Sequence, residues 1–207
     1  MKSIAAAVAL VLSVTASCAS KATAPATNVA ATRAWPADFE GHYEYWLADF
    51  EAHYGYDTGY MEKLLDLSPA AFDQFFAAMG MSQLGEHLSP DEHYVGAISA
   101  LMADDCGACT QLNLKMAVEE GVDIELLRTL VERPADLPPT LRTIHDYATQ
   151  VVSGGNASPD LVRDLRIALG DEGFAELAVN VLGCRIYPGL RRAMGAETAC
   201  PPLTLDF

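Results

Sequence analysis

Phe39-Glu40-Gly41-His42-Tyr43-Glu44-Tyr45-Trp46-Leu47-Ala48-Asp49-Phe50-Glu51-Ala52-His53-Tyr54 is the stretch that decides the fold class. Its large apolar residues fall at Phe39, Tyr43, Trp46, Leu47, Phe50 and Tyr54, mostly in steps of three and four. That is the period of a helix with one buried stripe. Gly55 follows as a stop. A near-repeat runs through it: Ala37-Asp38-Phe39-Glu40-Gly41-His42-Tyr43 returns as Ala48-Asp49-Phe50-Glu51-Ala52-His53-Tyr54. The offset is about three helical turns, so the two copies share a face. His42 and His53 then lie on one stripe but too far apart to share a metal ion. The stripe reads as aromatic packing with solvated His and Glu.

The rest of the chain reads the same way. Ser68-Pro69, Ser89-Pro90 and Ser158-Pro159 each set a capping hydroxyl before a proline at the first helical position. Glu92, three residues after Ser89, completes a capping box. Further helices fit residues 106–120, closed by Gly121, then 123–132, and 139–152, closed by Gly154-Gly155. Another fits 171–193, with a kink expected before Pro188. No stretch alternates with period two. The expected class is all-α, a compact domain of seven or eight helices with short loops.

Ahead of these helices lies an address. Lys2 precedes an apolar run over residues 4–14, and the small residues Thr15, Ala16, Ser17, Cys18 and Ala19 follow. A basic start, a short apolar stretch and small residues make a secretory signal peptide, taken as residues 1–19. Cleavage after Ala16 or Ala19 fits, and Cys18 leaves a lipid anchor open. Residues 20–34 read as a flexible linker and 35–207 as the domain. The sequence therefore implies an exported protein, periplasmic or secreted, in a compartment where disulfides persist. No later segment is long and apolar enough to cross a bilayer.

Composition narrows the function. The 207 residues hold 13 Lys and Arg against 28 Asp and Glu, a formal net charge of −15, and 51% are apolar. That apolar share excludes a wholly disordered chain. The acidic balance argues against nucleic acid, which needs clustered cations to replace counterions, and against an anionic membrane surface. Nothing in the sequence implies a cofactor or a metal.

Asp104-Asp105-Cys106-Gly107-Ala108-Cys109-Thr110-Gln111-Leu112 is the one motif that carries chemistry. Cys106 and Cys109 are three residues apart, so on a helix they share a face and can form a disulfide. Asp104 or Asp105 is expected to cap that helix. The helix N-terminus favours a thiolate, whereas the two carboxylates oppose it. Redox pair, half a zinc site and static disulfide all fit a lone CxxC. Zinc would need Cys184 and Cys200, whose separation of 16 residues is not that of a second CxxC.

Asp105-Cys106-Gly107-Ala108-Cys109 after an Ala-rich helix, with Met116-Ala117 to Gly121-Val122 closing the next one, resembles the carboxymuconolactone decarboxylase family and its alkylhydroperoxidase-D-like members. Leu67-Ser68-Pro69-Ala70-Ala71-Phe72 resembles the family's opening helices, and residues 178–187 its closing one. The likeness spans roughly 56–195. It implies an all-α fold assembling as trimers or hexamers. It implies a CxxC that reduces a hydroperoxide and is reset by a dithiol partner. Cys109 matches the attacking position and Cys106 the resolving one. The family's His, four residues after the second cysteine, is here Asn113. Its Glu, twelve before the first, is here Tyr94. Neither replaces a proton relay in kind. Glu92 and His93 are nearby alternatives, but Glu92 reads as the capping-box member and His93 as an exposed first-turn residue.

The remaining candidates read as structural. A Cys184–Cys200 disulfide would staple the C-terminal tail, the alternative being a buried Cys184 with Cys200 free. Arg185, Arg191 and Arg192 read as helix-end charge, with an anionic ligand as the lesser reading. Glu119 and Glu120 read as a solvated face. Two functions stay open at this point: an exported thiol oxidoreductase, or a non-enzymatic helical oligomer used for binding, with Cys106–Cys109 as a permanent link.

Overall fold

The structure, a computed structural model, describes residues 39–196 and 203–205. The expected signal peptide, the linker, Cys18 and Cys200 lie outside the described residues. The helices in chain order are α1 (Phe39–Tyr54), α2 (Gly59–Leu67), α3 (Pro69–Met79), α4 (Pro90–Ala103), α5 (Gly107–Glu119), α6 (Ile124–Glu132), α7 (Pro139–Val152), α8 (Pro159–Cys184) and α9 (Ile186–Ala193). Short 3-10 turns sit at Gly80–Ser82 and Pro134–Asp136. Among the described residues the fold is all-helical, as expected.

The local signals act where the sequence puts them. Ser68, Ser89 and Ser158 accept from the backbone N–H of Ala71, Glu92 and Leu161. Glu92 returns the bond to the Ser89 backbone at 2.8 Å, closing the capping box. Gly55, Gly121 and Gly154 end α1, α5 and α7 in the left-handed region, with φ of 65°, 86° and 87°. The long C-terminal helix differs from its expectation in two ways. It begins at Pro159 and carries on past a break at Gly170, whose φ of 75° and ψ of 173° only glycine adopts easily. It also ends at Cys184 rather than running on to residue 193. Pro188 lacks the N–H that would bond the Cys184 carbonyl and its ring crowds that carbonyl, so the axis breaks at Arg185 and α9 starts afresh.

Helix α4 is the centre. Tyr94, Val95, Gly96, Ala97, Ile98, Ser99, Ala100 and Leu101 are all buried, leaving no solvent face over two turns. Ser99, the polar exception, bonds His145 Nδ1 at 2.9 Å. On one side Val95 and Ile98 join Leu114, Leu127, Leu130, Ile144, Leu165 and Leu177 in the larger core. On the other, Ala97 and Leu101 join Tyr43, Leu47, Met61, Phe72, Cys109 and Cys184 in a second, aromatic core. Truncating a fully buried Ile98 or Leu101 to Ala costs about 2–5 kcal/mol each.

Close approach needs small residues. A Cβ on Gly183 would lie 2.5 Å from the Ser82 amide nitrogen and 2.7 Å from the Met81 carbonyl carbon. Both obstacles are backbone, which cannot swing aside. Alanine gains roughly 1 kcal/mol of helix propensity there, but overpacking of this kind costs about 1–3 kcal/mol and more where backbone must shift. We expect Gly183→Ala to be net destabilising, read as a lower urea midpoint at unchanged m-value. An unchanged or higher midpoint would show that α8 and the 80–82 turn are free to separate.

Candidate functional site

The link from α4 to α5 fixes the cysteine pair. Asp104 ends α4, Asp105 takes a left-handed φ of 54°, and the Cys106 N–H bonds back to the Leu101 carbonyl at 3.0 Å. With Asp105 N–H on the Met102 carbonyl at 3.1 Å, this is a Schellman motif with Asp where glycine is usual. Cys106 itself, rather than either aspartate as expected, occupies the N-cap position of α5. Asp104 turns instead to α9, where its Oδ1 accepts from Arg192 Nη2 at 2.9 Å and Oδ2 lies 4.0 Å from Arg185. Its charge is thus met by cations rather than directed at the thiols.

Cys106 and Cys109 stand at disulfide distance, with Cα atoms 5.3 Å apart. The two differ in what they face. Cys109 lines a cavity of about 430 Å³, whereas Cys106 sits behind it at the helix start and is not part of the wall. The apolar wall includes Trp46, Phe50, Met61, Leu112, Met116 and Tyr187. Among the polar groups on the wall is Tyr56, its hydroxyl 3.6 Å from Cys109 Sγ.

Both positions where a relay was sought also line this cavity. Asn113 folds its amide onto its own helix, donating to the Cys109 carbonyl at 3.0 Å. The Tyr94 hydroxyl donates to Glu120 Oε1 at 2.9 Å, and burial, reinforced by that carboxylate, pushes the phenol well up. Glu120 is therefore a cavity residue with a buried tyrosine for partner, not only part of a solvated face. Glu119 accepts from His53 at 2.8 Å and Tyr54 at 2.7 Å, tying α1 to α5.

His93 was expected to be exposed, but it is half-buried and lines the cavity. It is covered through α8, whose Asn180 reaches it. The buried Asn180 amide donates to His93 Nδ1 at 2.7 Å, which requires that nitrogen unprotonated. Burial lowers the imidazole pKa, and Glu120 and Glu176 only partly offset it. Asn180 Oδ1 in turn accepts from Cys184 Sγ at 3.4 Å. Cys184 is a buried thiol among the described residues, and Cys200, its partner in the expected staple, lies outside them.

One carboxylate shapes the rim. Glu176, only 2% exposed, accepts from Glu86 N–H at 3.1 Å and His87 N–H at 2.9 Å through Oε2, and from Leu88 N–H at 3.2 Å through Oε1. Three backbone dipoles thus meet its charge and pin the segment that brings Gly85, Leu88 and Pro90 to the cavity.

No family model, curated protein or solved structure matches the chain.

Sequence reasoning found the cysteines and missed Tyr56 and Glu120. Tyr56 had a signal, since Gly55-Tyr56-Asp57-Thr58-Gly59-Tyr60 frames an aromatic between glycines. Glu120 had none, because its partner is 26 residues away.

Two outcomes follow from this geometry. Glu176→Ala should cost roughly 2–4 kcal/mol, because it removes a charged acceptor from three N–H groups. Amide exchange should speed up selectively at residues 86–88, and Glu176→Gln should lose less. Protection that survives Glu176→Ala would mean the rim holds itself. Separately, burial pushes the Cys184 thiol up to about 12. At pH 8 a thiol so shifted is less ionised than an ordinary one by on the order of 10³. Iodoacetamide should therefore spare Cys184 in the folded, reduced protein and label it after unfolding.

Proposed function

We propose that this chain is an exported thiol oxidoreductase resembling the alkylhydroperoxidase-D-like branch of the carboxymuconolactone decarboxylase family, and that it reduces hydroperoxides at Cys109. The observation that carries the reading is the asymmetry of the pair: Cys109 faces the cavity and Cys106 lies behind it. An attacking sulfur needs a substrate-sized space in front of it, and a resolving sulfur needs only to reach the attacker. The aromatic and methionine wall suits an organic hydroperoxide better than hydrogen peroxide.

In the reduced protein the Cys109 thiolate attacks the terminal peroxide oxygen. An S–O bond forms, the O–O bond breaks, and the alkoxide leaves with the electron pair and takes up a proton as the alcohol. Cys109 is left as the sulfenic acid. Cys106 then displaces water from it, giving the disulfide. An external dithiol returns two electrons and two protons to complete the cycle. The resemblance adds a trimer or hexamer as the working assembly.

A second reading, a helical binding module with a permanent Cys106–Cys109 link, is favoured by the burial of both cysteines, 6% and 2% exposed. Kinetics separate the two. Pre-reduced protein mixed with cumene hydroperoxide should lose the Cys106 and Cys109 thiols much faster than a free-cysteine peptide does. Cys109→Ser should abolish the gain, and Cys106→Ser should halt at a sulfenic acid trapped by dimedone. Thiol loss no faster than the peptide's would leave the binding module as the reading.

A further inference from the structure

We propose that Tyr56 is the hydrogen-bond donor that holds Cys109 as its reactive thiolate, with Arg191 as the positioning residue behind it. The assignment rests on the peroxidase reading of the cysteine pair, and it supplies the acid that Asn113 and Tyr94 do not.

The turn between α1 and α2 is built to hold Tyr56 still. Gly55 turns the chain at φ 65°. Glu51 Oε2 then accepts from the Thr58 N–H at 3.1 Å and from its hydroxyl at 2.7 Å. Asp57 Oδ1 accepts from the Gly59 N–H at 3.0 Å. Tyr56 emerges from this frame 5% exposed, lining the cavity with its hydroxyl at the Cys109 sulfur.

The direction of the hydrogen bonds can be worked out. A disulfide sulfur carries no hydrogen, so in the Tyr56–Cys109 contact the phenol donates. Tyr56 has one hydroxyl hydrogen and has thereby used it. The 3.1 Å contact between Tyr56 and Tyr60 must then run from Tyr60 to Tyr56. The result is a one-way chain, Tyr60 to Tyr56 to sulfur. A donor aimed at sulfur favours the thiolate over the thiol once the pair is reduced.

Arg191 strengthens this donor. Its guanidinium carbon lies 5.9 Å from the Tyr56 ring centre and 5.6 Å from that of Tyr60. Its side chain is 8% exposed and its Nη2 pairs with Asp57 Oδ2 at 2.8 Å. Among the described residues its buried Nε and Nη1 have no hydrogen-bond partner. The Asp57 carboxylate is 64% exposed, so water screens it while the cation stays in the protein. Burial raises the Tyr56 phenol, and Tyr60 and Arg191 oppose the rise. Tyr56 therefore stays protonated at neutral pH, as a donor must. When peroxide is cleaved, the departing alkoxide takes the Tyr56 proton, and the phenolate recovers one from water.

The test reads the Cys109 thiol directly. Full-length reduced protein is alkylated with iodoacetamide across a pH series, and Cys109 modification is followed by site-resolved mass spectrometry. Tyr56→Phe should move the Cys109 midpoint up by about one pH unit and slow cumene hydroperoxide oxidation about tenfold. Arg191→Gln should shift it the same way by less. A role in packing alone would leave the midpoint where it was, so an unmoved midpoint in folded Tyr56→Phe overturns the proposal. If Tyr56→Phe does not fold, Tyr60→Phe removes only the feeding donor; a raised midpoint supports the chain and an unmoved one overturns it. A midpoint that moves in a protein whose wild type ignores peroxide would uphold the donor and sink the peroxidase reading instead.

Discussion

Among the described residues the fold is arranged around a helix that has no solvent face over two of its turns. Over residues 94–101, α4 is buried on all sides, so each neighbour exists to cover part of it. The cover is uneven by necessity. Branched aliphatic side chains of α5 to α8 close one side in the larger core. The opposite side is closed by aromatic rings from α1 to α3. Tyr43 meets Phe72 edge-to-face with centroids 4.5 Å apart and Phe76 at a tilt at 4.8 Å, while Phe72 and Phe76 stack at 6.2 Å. The cavity lies on the aromatic side.

That division sets the chemistry of the site. Its wall is mostly apolar, and several of its polar groups are tied to partners on other helices or turns. Tyr94 reaches Glu120, His93 reaches Asn180, and Tyr56 reaches Cys109. In a low-dielectric space such bonds gain strength, and a donor left without a partner would be costly. Burial lowers the His93 imidazole and pushes the Cys184 thiol up, whereas the Cys109 sulfur has the Tyr56 hydroxyl 3.6 Å away. Cys109 and Cys184 both line the cavity, and they differ in their partners: the Tyr56 hydroxyl for Cys109 and the Asn180 amide oxygen for Cys184.

Much of the fold was legible because its signals are local. The three Ser-Pro pairs, the capping box of Ser89 with Glu92, and the glycines at 55, 121 and 154 all act within one turn of themselves. Pro188 broke the last helix for a reason contained in four residues of sequence. The misreadings share another cause. Asp104 was expected to cap α5 because it precedes it, yet it pairs with Arg192, 88 residues on. His93 was expected to face water because first turns often do, yet α8 covers it.

The sequence by itself determined the all-helical class, the helix ends and the CxxC at the start of α5, because propensity, capping and period are properties of neighbouring residues. Tertiary structure decided which sulfur faces a cavity and which groups meet it there. Tyr56 is 53 residues from Cys109, and Asn180 is 87 from His93. Such meetings are set by how helices cross around α4, and crossing depends on the shapes of many side chains at once. No run of neighbouring residues encodes it.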